Sequence, residues 1–221
     1  MRTSPNYMVA GLVGVVAAGF AFFSQSGNSQ ESAEPIAASQ ADAVFAGGCF
    51  WCTEADFDKV DGVVQTISGY TGGDVANPSY EQVTTGTTGH YESVRVIYDP
   101  TVVSYDELVD YYWRTIDPLD ARGQFCDKGT SYRTAIFVET DEERATAEEA
   151  KAELSESGEL SGEIKTEILS QGTFWPAEDY HQDYYKKNKS RYDFYRSRCG
   201  RDQRLEQIWG EDAAKKIAAN F

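Results

Sequence analysis

The sequence predicts an α+β domain in which a mixed sheet is built on a split β-α-β (ferredoxin-like) core, followed by a long C-terminal tail. Strand-like and helix-like segments follow one another as strand-helix-strand twice, and then as helix and strand. Residues 91–98 alternate between two sets of side chains, as a strand with one core-facing side does. The chain has 221 residues, 41% of them hydrophobic, which suits one compact domain with extra length at one end.

Turn-forming and capping residues separate the predicted elements of the first half. Gly47 and Gly48 end the first strand. Ser104 is predicted to cap a helix, because Glu107 stands where a capping-box partner belongs. The predicted strands of this half are residues 44–46, 63–70 and 91–98, and the predicted helices are residues 50–59 and 104–116.

A polar loop over residues 119–131 opens the second half. The predicted strands that follow are residues 132–139 and 164–169, and the predicted helices are residues 141–157, 178–187 and, within the tail, 205–209. We therefore expect an ordered domain over residues 42–210 and a tail over residues 211–221.

The first 41 residues do not resemble part of a fold. Residues 8–23 carry no charge, and their length is typical of a signal-peptide core but short for a membrane-spanning helix. Residues 24–41 are rich in Ser, Gln, Ala and Glu, as flexible linkers are. We expect a signal peptide or N-terminal anchor plus a linker, and an exported protein that is periplasmic or anchored to the membrane by this segment.

The net charge of −16 argues against binding to nucleic acid, because such a surface repels phosphates. We expect a monomer with no nucleic-acid partner, whose contact with a membrane is limited to the N-terminal segment.

The four cysteines are Cys49, Cys52, Cys126 and Cys199. An even number in an exported protein first suggests structural disulfides. A domain of this size has enough core without them, and Cys49 and Cys52 are too close in sequence to close a useful loop. A redox role suits this pair better.

Cys49 follows a strand and two glycines and stands at the predicted start of a helix. Free N–H groups and the positive end of the helix dipole favour a thiolate there, although an inert buried cysteine is also common. Phe50 and Trp51 come next and cannot both face the core, so one of them could form an aromatic wall for an apolar ligand.

Glu92 is a candidate proton donor. It shares a strand face with Val94 and Val96, and a carboxyl at the end of an apolar face tends to keep its proton. The alternative is an exposed glutamate at the end of a strand. Tyr80, Asp127 and Tyr132 lie in predicted loops or at strand ends, where each taken singly is an ordinary residue.

Four motifs appear in order along the chain: Gly48-Cys49-Phe50-Trp51, residues 88–94 (TGHYESV), residues 127–133 (DKGTSYR) and residues 178–182 (EDYHQ). In this order they resemble the A-type peptide methionine sulfoxide reductases. The resemblance spans residues 44–185 and implies reduction of the S epimer of methionine sulfoxide, free or in proteins, with repair of oxidised proteins as the outcome.

The resemblance also implies a role for each matching residue. Cys49 is the nucleophile that attacks sulfur, Glu92 is the acid that protonates the sulfoxide oxygen, and Tyr80 and Tyr132 are phenols that bind that oxygen. Asp127 supports the site, while Phe50 and Trp51 hold the substrate methyl group. No metal or organic cofactor is implied, and a thioredoxin-like protein is the implied electron donor.

The sulfenic acid left on Cys49 must be resolved by a second thiol. The commoner family pattern has Gly after Phe-Trp, whereas this chain has Cys52. We expect Cys199, in a mobile tail, to be the resolving cysteine. Cys52 is the second candidate, because a short disulfide at a helix start would strain the turn. Cys126 is the third candidate.

Two other functions are open to this sequence. A thiol-disulfide oxidoreductase would use Cys49-x-x-Cys52, but it gives Glu92, Tyr80 and Tyr132 no joint role. An exported binding protein stapled by two disulfides would have no activity. The sequence disfavours a zinc site, since Cys126 and Cys199 do not form a second Cys-x-x-Cys pair and the chain has only two histidines.

Overall fold

A computed structural model of the chain describes Met1 and residues 39–210. The expected signal peptide or anchor, most of the expected linker and the expected tail at 211–221 lie outside these residues. Within the described part, none of the helices has the length and apolar character needed to cross a membrane.

Eight strands and seven helices make up the described fold. The strands are β1 Ala41–Gly47, β2 Val63–Thr71, β3 Tyr91–Tyr98, β4 Gly123–Gln124, β5 Asp127–Lys128, β6 Thr134–Val138, β7 Glu167–Ser170 and β8 Trp175–Pro176. The helices are α1 Phe50–Phe57, α2 Tyr80–Thr84, α3 Tyr105–Arg114, α4 Asp141–Glu156, α5 Tyr184–Lys187, α6 Lys189–Cys199 and α7 Arg201–Trp209, with a 3-10 turn over Thr130–Tyr132.

Six strands form one sheet in the order β7-β6-β1-β3-β2-β8. The four central strands pair antiparallel, with α1 between β1 and β2 in the chain and α3 between β3 and β6. This is a double split β-α-β arrangement. Because β7 joins β6 in parallel, the sheet is mixed, and the predicted α+β fold is confirmed.

The main hydrophobic core lies against one face of the sheet and includes side chains of α1, α3 and α4. Phe45 of β1 stacks on Phe57 of α1 and on Tyr112 of α3, with ring centroids 4.9 and 5.0 Å apart. Val94 and Val96 belong to the same cluster, as their alternation in β3 predicts. The side chain of Glu92 therefore lies on the core-facing side of β3.

Helix α3 begins as its sequence predicts. The hydroxyl of Ser104 accepts a hydrogen bond from the N–H of Glu107, whose carboxylate accepts one from the N–H of Ser104 in return. This capping box satisfies donors that the first turn would otherwise leave free.

The long C-terminal tail expected from the sequence is helical up to residue 209, where it forms α6 and α7, and the expected helix at 205–209 is the second half of α7. Arg201, only 2% exposed, donates to the carbonyl oxygens of Gly47 and Thr115 and so fixes the start of α7 below the end of β1. Tyr192 and Leu205 are buried on the same segment. These contacts are distant in sequence and leave no local pattern.

Two further boundaries differ from prediction. Of the predicted helix at 178–187, only Tyr184–Lys187 is helical, since Gln182 bonds with the backbone of Ser68 in β2 instead. Tyr132, predicted to start a strand, ends the 3-10 turn, and β6 begins at Thr134.

Candidate active site

Cys49 stands at a tight junction between β1 and α1. Gly48 adopts φ +86°, and a Cβ there would lie 2.5 Å from Cβ of Gln124, so both the backbone and the space demand glycine. Cys49 is the N-cap of α1, and its carbonyl accepts from the N–H of Cys52 at 3.0 Å. The turn places the two thiols on one side of the helix start.

Cys49 and Cys52 are both free and both buried. Burial, a hydrogen bond with Cys52 and nearby negative charge raise the pKa of Cys49 well above its ordinary value. The hydrogen bond from Cys49 lowers the pKa of Cys52 to about 7 against the opposing effect of burial, and Arg201 and Arg196 lower it further. Of the two thiols, Cys52 therefore loses its proton more readily than Cys49.

The expected stabilisation of a Cys49 thiolate by the helix start is not found. The first free N–H of α1, that of Phe50, donates to Oε2 of Glu92 at 3.1 Å and is not available to the sulfur.

Glu92 is 1% exposed, which excludes the alternative of a solvent-exposed strand end. Burial raises its pKa to about 8, and the charge of Asp127 adds to this effect, while hydrogen bonds from Phe50 and Tyr132 oppose it. At neutral pH the side chain is a neutral acid beside Cys49.

Tyr80 and Tyr132 meet at the same place. The phenol of Tyr132 lies close enough to Tyr80 and to Glu92 to lower the pKa of both groups. Burial, and then the charge of Glu92, raise the pKa of Tyr80 to about 12 and raise that of Tyr132 further. Both phenols therefore stay protonated and can donate hydrogen bonds to an oxygen.

Asp127 borders the site from the β4-β5 hairpin. The hydroxyl of Tyr195 on α6 donates to Oδ2 of Asp127. Burial raises the pKa of Asp127, and the bond from Tyr195 lowers it. A disulfide joins Cys126 to Cys199, so it holds the hairpin against the end of α6 next to this pair.

The two aromatic residues of the motif have different surroundings. Phe50 is buried and contacts Tyr80 and His181, with ring centroids 6.5 and 4.9 Å away. Trp51 is half-buried, stacks on Tyr184 at 3.7 Å, and donates from Nε1 to Nδ1 of His181 at 3.0 Å. Burial lowers the pKa of His181 to about 4, so this imidazole is neutral and acts as the acceptor.

Residues 178–182 form hydrogen bonds that hold parts of the site in place. Glu178 accepts hydrogen bonds from the backbone N–H of Tyr80 and from the hydroxyl of Tyr70, both at 2.9 Å. The segment thus fixes the start of α2 and the phenol of Tyr80.

Of the predicted site residues, the structure brings together Cys49, Cys52, Glu92, Tyr80, Tyr132, Asp127, Phe50 and Trp51. Cys199 is not in a mobile tail but ends α6, bonded to Cys126. Within the described part of the chain, Cys126, Asp127 and Cys199 lie close enough together to be potential metal ligands. The two cysteines are joined in a disulfide, so neither offers the thiolate that a metal ion would need.

Sequence reasoning missed Tyr195 and a buried charge cluster formed by Asp56, Arg196 and Arg201. Arg196 lies 3.0 Å and Arg201 3.7 Å from the carboxylate of Asp56. The several tyrosines after residue 183 were a weak signal for Tyr195. Neither Arg196 nor Arg201 lies in a sequence pattern that indicates a buried charge.

The sequence profile described as "Peptide methionine sulfoxide reductase" matches residues 41–213. The chain belongs to the peptide methionine sulfoxide reductase family. The family resemblance drawn from the four motifs, and with it the expected enzyme activity, is confirmed.

Individual reductases of this family are similar over most of the domain. The chain is 52% identical to the peptide methionine sulfoxide reductase MsrA of Bacillus licheniformis over 168 residues, which cover 76% of this chain and 93% of the relative. It is 47% identical to the MsrA/MsrB protein of Vibrio cholerae over 203 residues, covering 92% of this chain but only 54% of that relative. The structure of methionine sulfoxide reductase A of Corynebacterium diphtheriae superposes with a TM-score of 0.62 at 36% identity, covering 69% of this chain and 76% of that one.

Proposed function

We propose that this reductase acts on the S epimer of methionine sulfoxide, free or in proteins, with Cys49 as nucleophile and Glu92 as general acid. The observation that carries the proposal is the buried Glu92 carboxyl, neutral at pH 7, which accepts a hydrogen bond from the N–H that follows Cys49.

The first step is attack of the Cys49 sulfur on the sulfoxide sulfur. Because Cys49 is protonated in the free enzyme, its proton passes to the Cys52 thiolate as the nucleophile forms. A sulfoxide oxygen is a poor leaving group until it is protonated, and Glu92 supplies that proton. Tyr80 and Tyr132 donate hydrogen bonds to the same oxygen and stabilise its developing charge.

The products of this step are methionine and a sulfenic acid on Cys49, so the substrate gains two electrons and Cys49 loses two. Phe50 and Trp51 supply the apolar wall against which the substrate methyl group packs. Asp127, held by Tyr195, supports the phenols and the acid from the other side.

Cys52 is the better candidate for the resolving thiol. It is hydrogen-bonded to Cys49, and its low pKa gives a large thiolate fraction at neutral pH. Attack by Cys52 forms a Cys49–Cys52 disulfide and releases the sulfenic oxygen as water. Cys199 and Cys126, joined to each other, have no free thiol to offer in this state.

A thioredoxin-like protein then reduces the disulfide, and no metal or organic cofactor takes part. We also propose that the protein is exported, with residues 1–41 as signal peptide or membrane anchor plus linker and residues 42–210 as the reductase domain. The apolar run at 8–23 supports export, and detecting the protein in membrane and periplasmic fractions of an expressing bacterium tests it.

The decisive experiment is incubation with the separated S and R epimers of N-acetylmethionine sulfoxide and dithiothreitol. We expect methionine only from the S epimer. Reduction of simple disulfides with no sulfoxide turnover would instead favour a thiol-disulfide oxidoreductase.

A further inference from the structure

A groove of about 460 Å³ runs beside the proposed substrate pocket, along one face of α6. Five residues of that helix line it. Cys199 is joined to Cys126, and the other four form a row: Arg191, Phe194, Tyr195 and Arg198. Their spacing of three, four and seven residues places them on a single helical face. The groove therefore presents an ordered row of side chains.

The apolar part of this row is open to solvent. Phe194 is 69% exposed, which is unusual for a large aromatic side chain in a domain with a well-filled core. Neither the sheet nor the other described helices cover it. A surface of this kind is available for a binding partner.

The charged part of the row is unpaired. Arg191 and Arg198 form no ion pair or side-chain hydrogen bond with any residue that the structure describes, whereas Asp193 between them is paired with Lys189 at 2.7 Å. No carboxylate lines the groove within the described part of the chain. On a protein with a net charge of −16, two free guanidinium groups make this a local positive site.

The groove is continuous with the proposed active site. Trp51 lines it and directly follows Phe50, and Tyr195 lines it while its hydroxyl bonds Asp127. A polypeptide with its oxidised methionine at Cys49 would leave the pocket past these two aromatic rings.

The dimensions fit a short extended segment. Seven residues of helix span about 10 Å at 1.5 Å per residue. An extended chain covers the same distance in about three residues. The two arginines can thus meet acidic side chains placed a few residues from the methionine sulfoxide.

We infer that this α6 groove binds the flanking segment of oxidised polypeptides and favours those with aspartate or glutamate within about four residues of the methionine sulfoxide. The inference rests on the proposed function, because the pocket beside Trp51 must hold the sulfoxide. Phe194 supplies apolar contact to the flank, and Arg191 and Arg198 supply the charge preference.

The test compares kcat/KM for blocked peptides that differ only in glutamate or glutamine on either side of one methionine sulfoxide. Dithiothreitol serves as reductant, so that no protein reductant competes for the surface. We expect the wild-type protein to favour the glutamate peptides about threefold to tenfold at low salt, as two solvent-exposed ion pairs allow, and less at high salt.

The variant carrying R191Q and R198Q should lose this preference and still reduce N-acetylmethionine sulfoxide at the wild-type rate. The matched control carries R144Q and K165Q, which remove the same charge from ion pairs outside α6 that do not line the groove, and it should keep the preference. F194A should raise KM for every peptide without changing the ratio between them.

Equal rates on glutamate and glutamine peptides, or a preference that survives R191Q with R198Q, would overturn the inference. So would a defect seen only with thioredoxin as reductant, because the groove would then be a reductant-docking surface. Failure to reduce N-acetylmethionine sulfoxide in all variants would instead count against the proposed function.

Discussion

The backbone N–H of Phe50 donates a hydrogen bond to Oε2 of Glu92 over 3.1 Å, and this bond ties the first turn of α1 to the acid of β3. It brings the residue after Cys49 to a carboxyl 42 positions away in sequence. The proposed nucleophile and the proposed proton donor are consequently held together by one contact between a helix start and a strand.

The substitution Glu92→Gln tests the acid. Glutamine can still accept the hydrogen bond from Phe50, but it cannot release a proton to the sulfoxide oxygen. We expect kcat for N-acetylmethionine sulfoxide to fall about 100-fold or more, as loss of a general acid does. Glu167→Gln, in a partly exposed ion pair with Arg133, should leave kcat unchanged. An undiminished rate in Glu92→Gln would remove Glu92 from the mechanism.

The pH dependence of activity follows from the same group. Because burial raises the pKa of Glu92 to about 8, its acid form dominates at neutral pH and is lost above about pH 8. We expect kcat to decline on the alkaline side with a midpoint near this value, measured by initial rates from pH 6 to 10. A flat profile through pH 9 would contradict the assignment.

The raised pKa of Glu92 should also make the stability of the protein depend on pH. Between the ordinary value of about 4.5 and the native value of about 8, the folded protein holds a proton on Glu92 that the unfolded chain has released. The free energy of unfolding therefore falls as pH rises through this window. Glu92→Gln removes the buried charge, so its stability relative to wild type in urea unfolding should be greater at pH 9 than at pH 4. A difference independent of pH would contradict the shift.

Cys52→Ser tests the resolving step. Without the Cys52 thiol, the sulfenic acid on Cys49 should persist after one equivalent of substrate, since Cys126 and Cys199 are joined to each other. Labelling with dimedone and mass spectrometry should find the adduct on Cys49, while the wild-type protein yields a Cys49–Cys52 disulfide. A disulfide from Cys49 to Cys199 would restore the assignment made from sequence.

The Cys126–Cys199 disulfide should contribute mainly stability. It closes a loop of 73 residues and fastens the Asp127 hairpin to α6. Replacing both cysteines by serine should lower the free energy of unfolding by about 2–4 kcal/mol. Chemical unfolding without reductant measures this, and Cys52→Ser serves as the control with a smaller loss. Equal losses in the two variants would contradict a stapling role.

Local patterns determined the central fold of this protein. Alternation in residues 91–98 set the register of β3, and with it the side of the sheet on which Glu92 lies. The capping box at Ser104 and Glu107 marked the start of α3 correctly. Glycines before Cys49 marked the strand-to-helix turn, because Gly48 has a conformation that other residues rarely adopt.

Tertiary structure alone decided how the cysteines are divided and how the site is charged. Cys126 and Cys199 are 73 residues apart, and only the docking of α6 and α7 through Arg201 brings them together. The favoured position of the thiolate depends on burial and on two arginines more than 140 residues beyond Cys52 in the chain. Such long-range burial and charge leave no periodic signal in the sequence. The sequence therefore pointed to Cys49 as the candidate nucleophile, whereas only the fold showed that the free thiol beside it is that of Cys52.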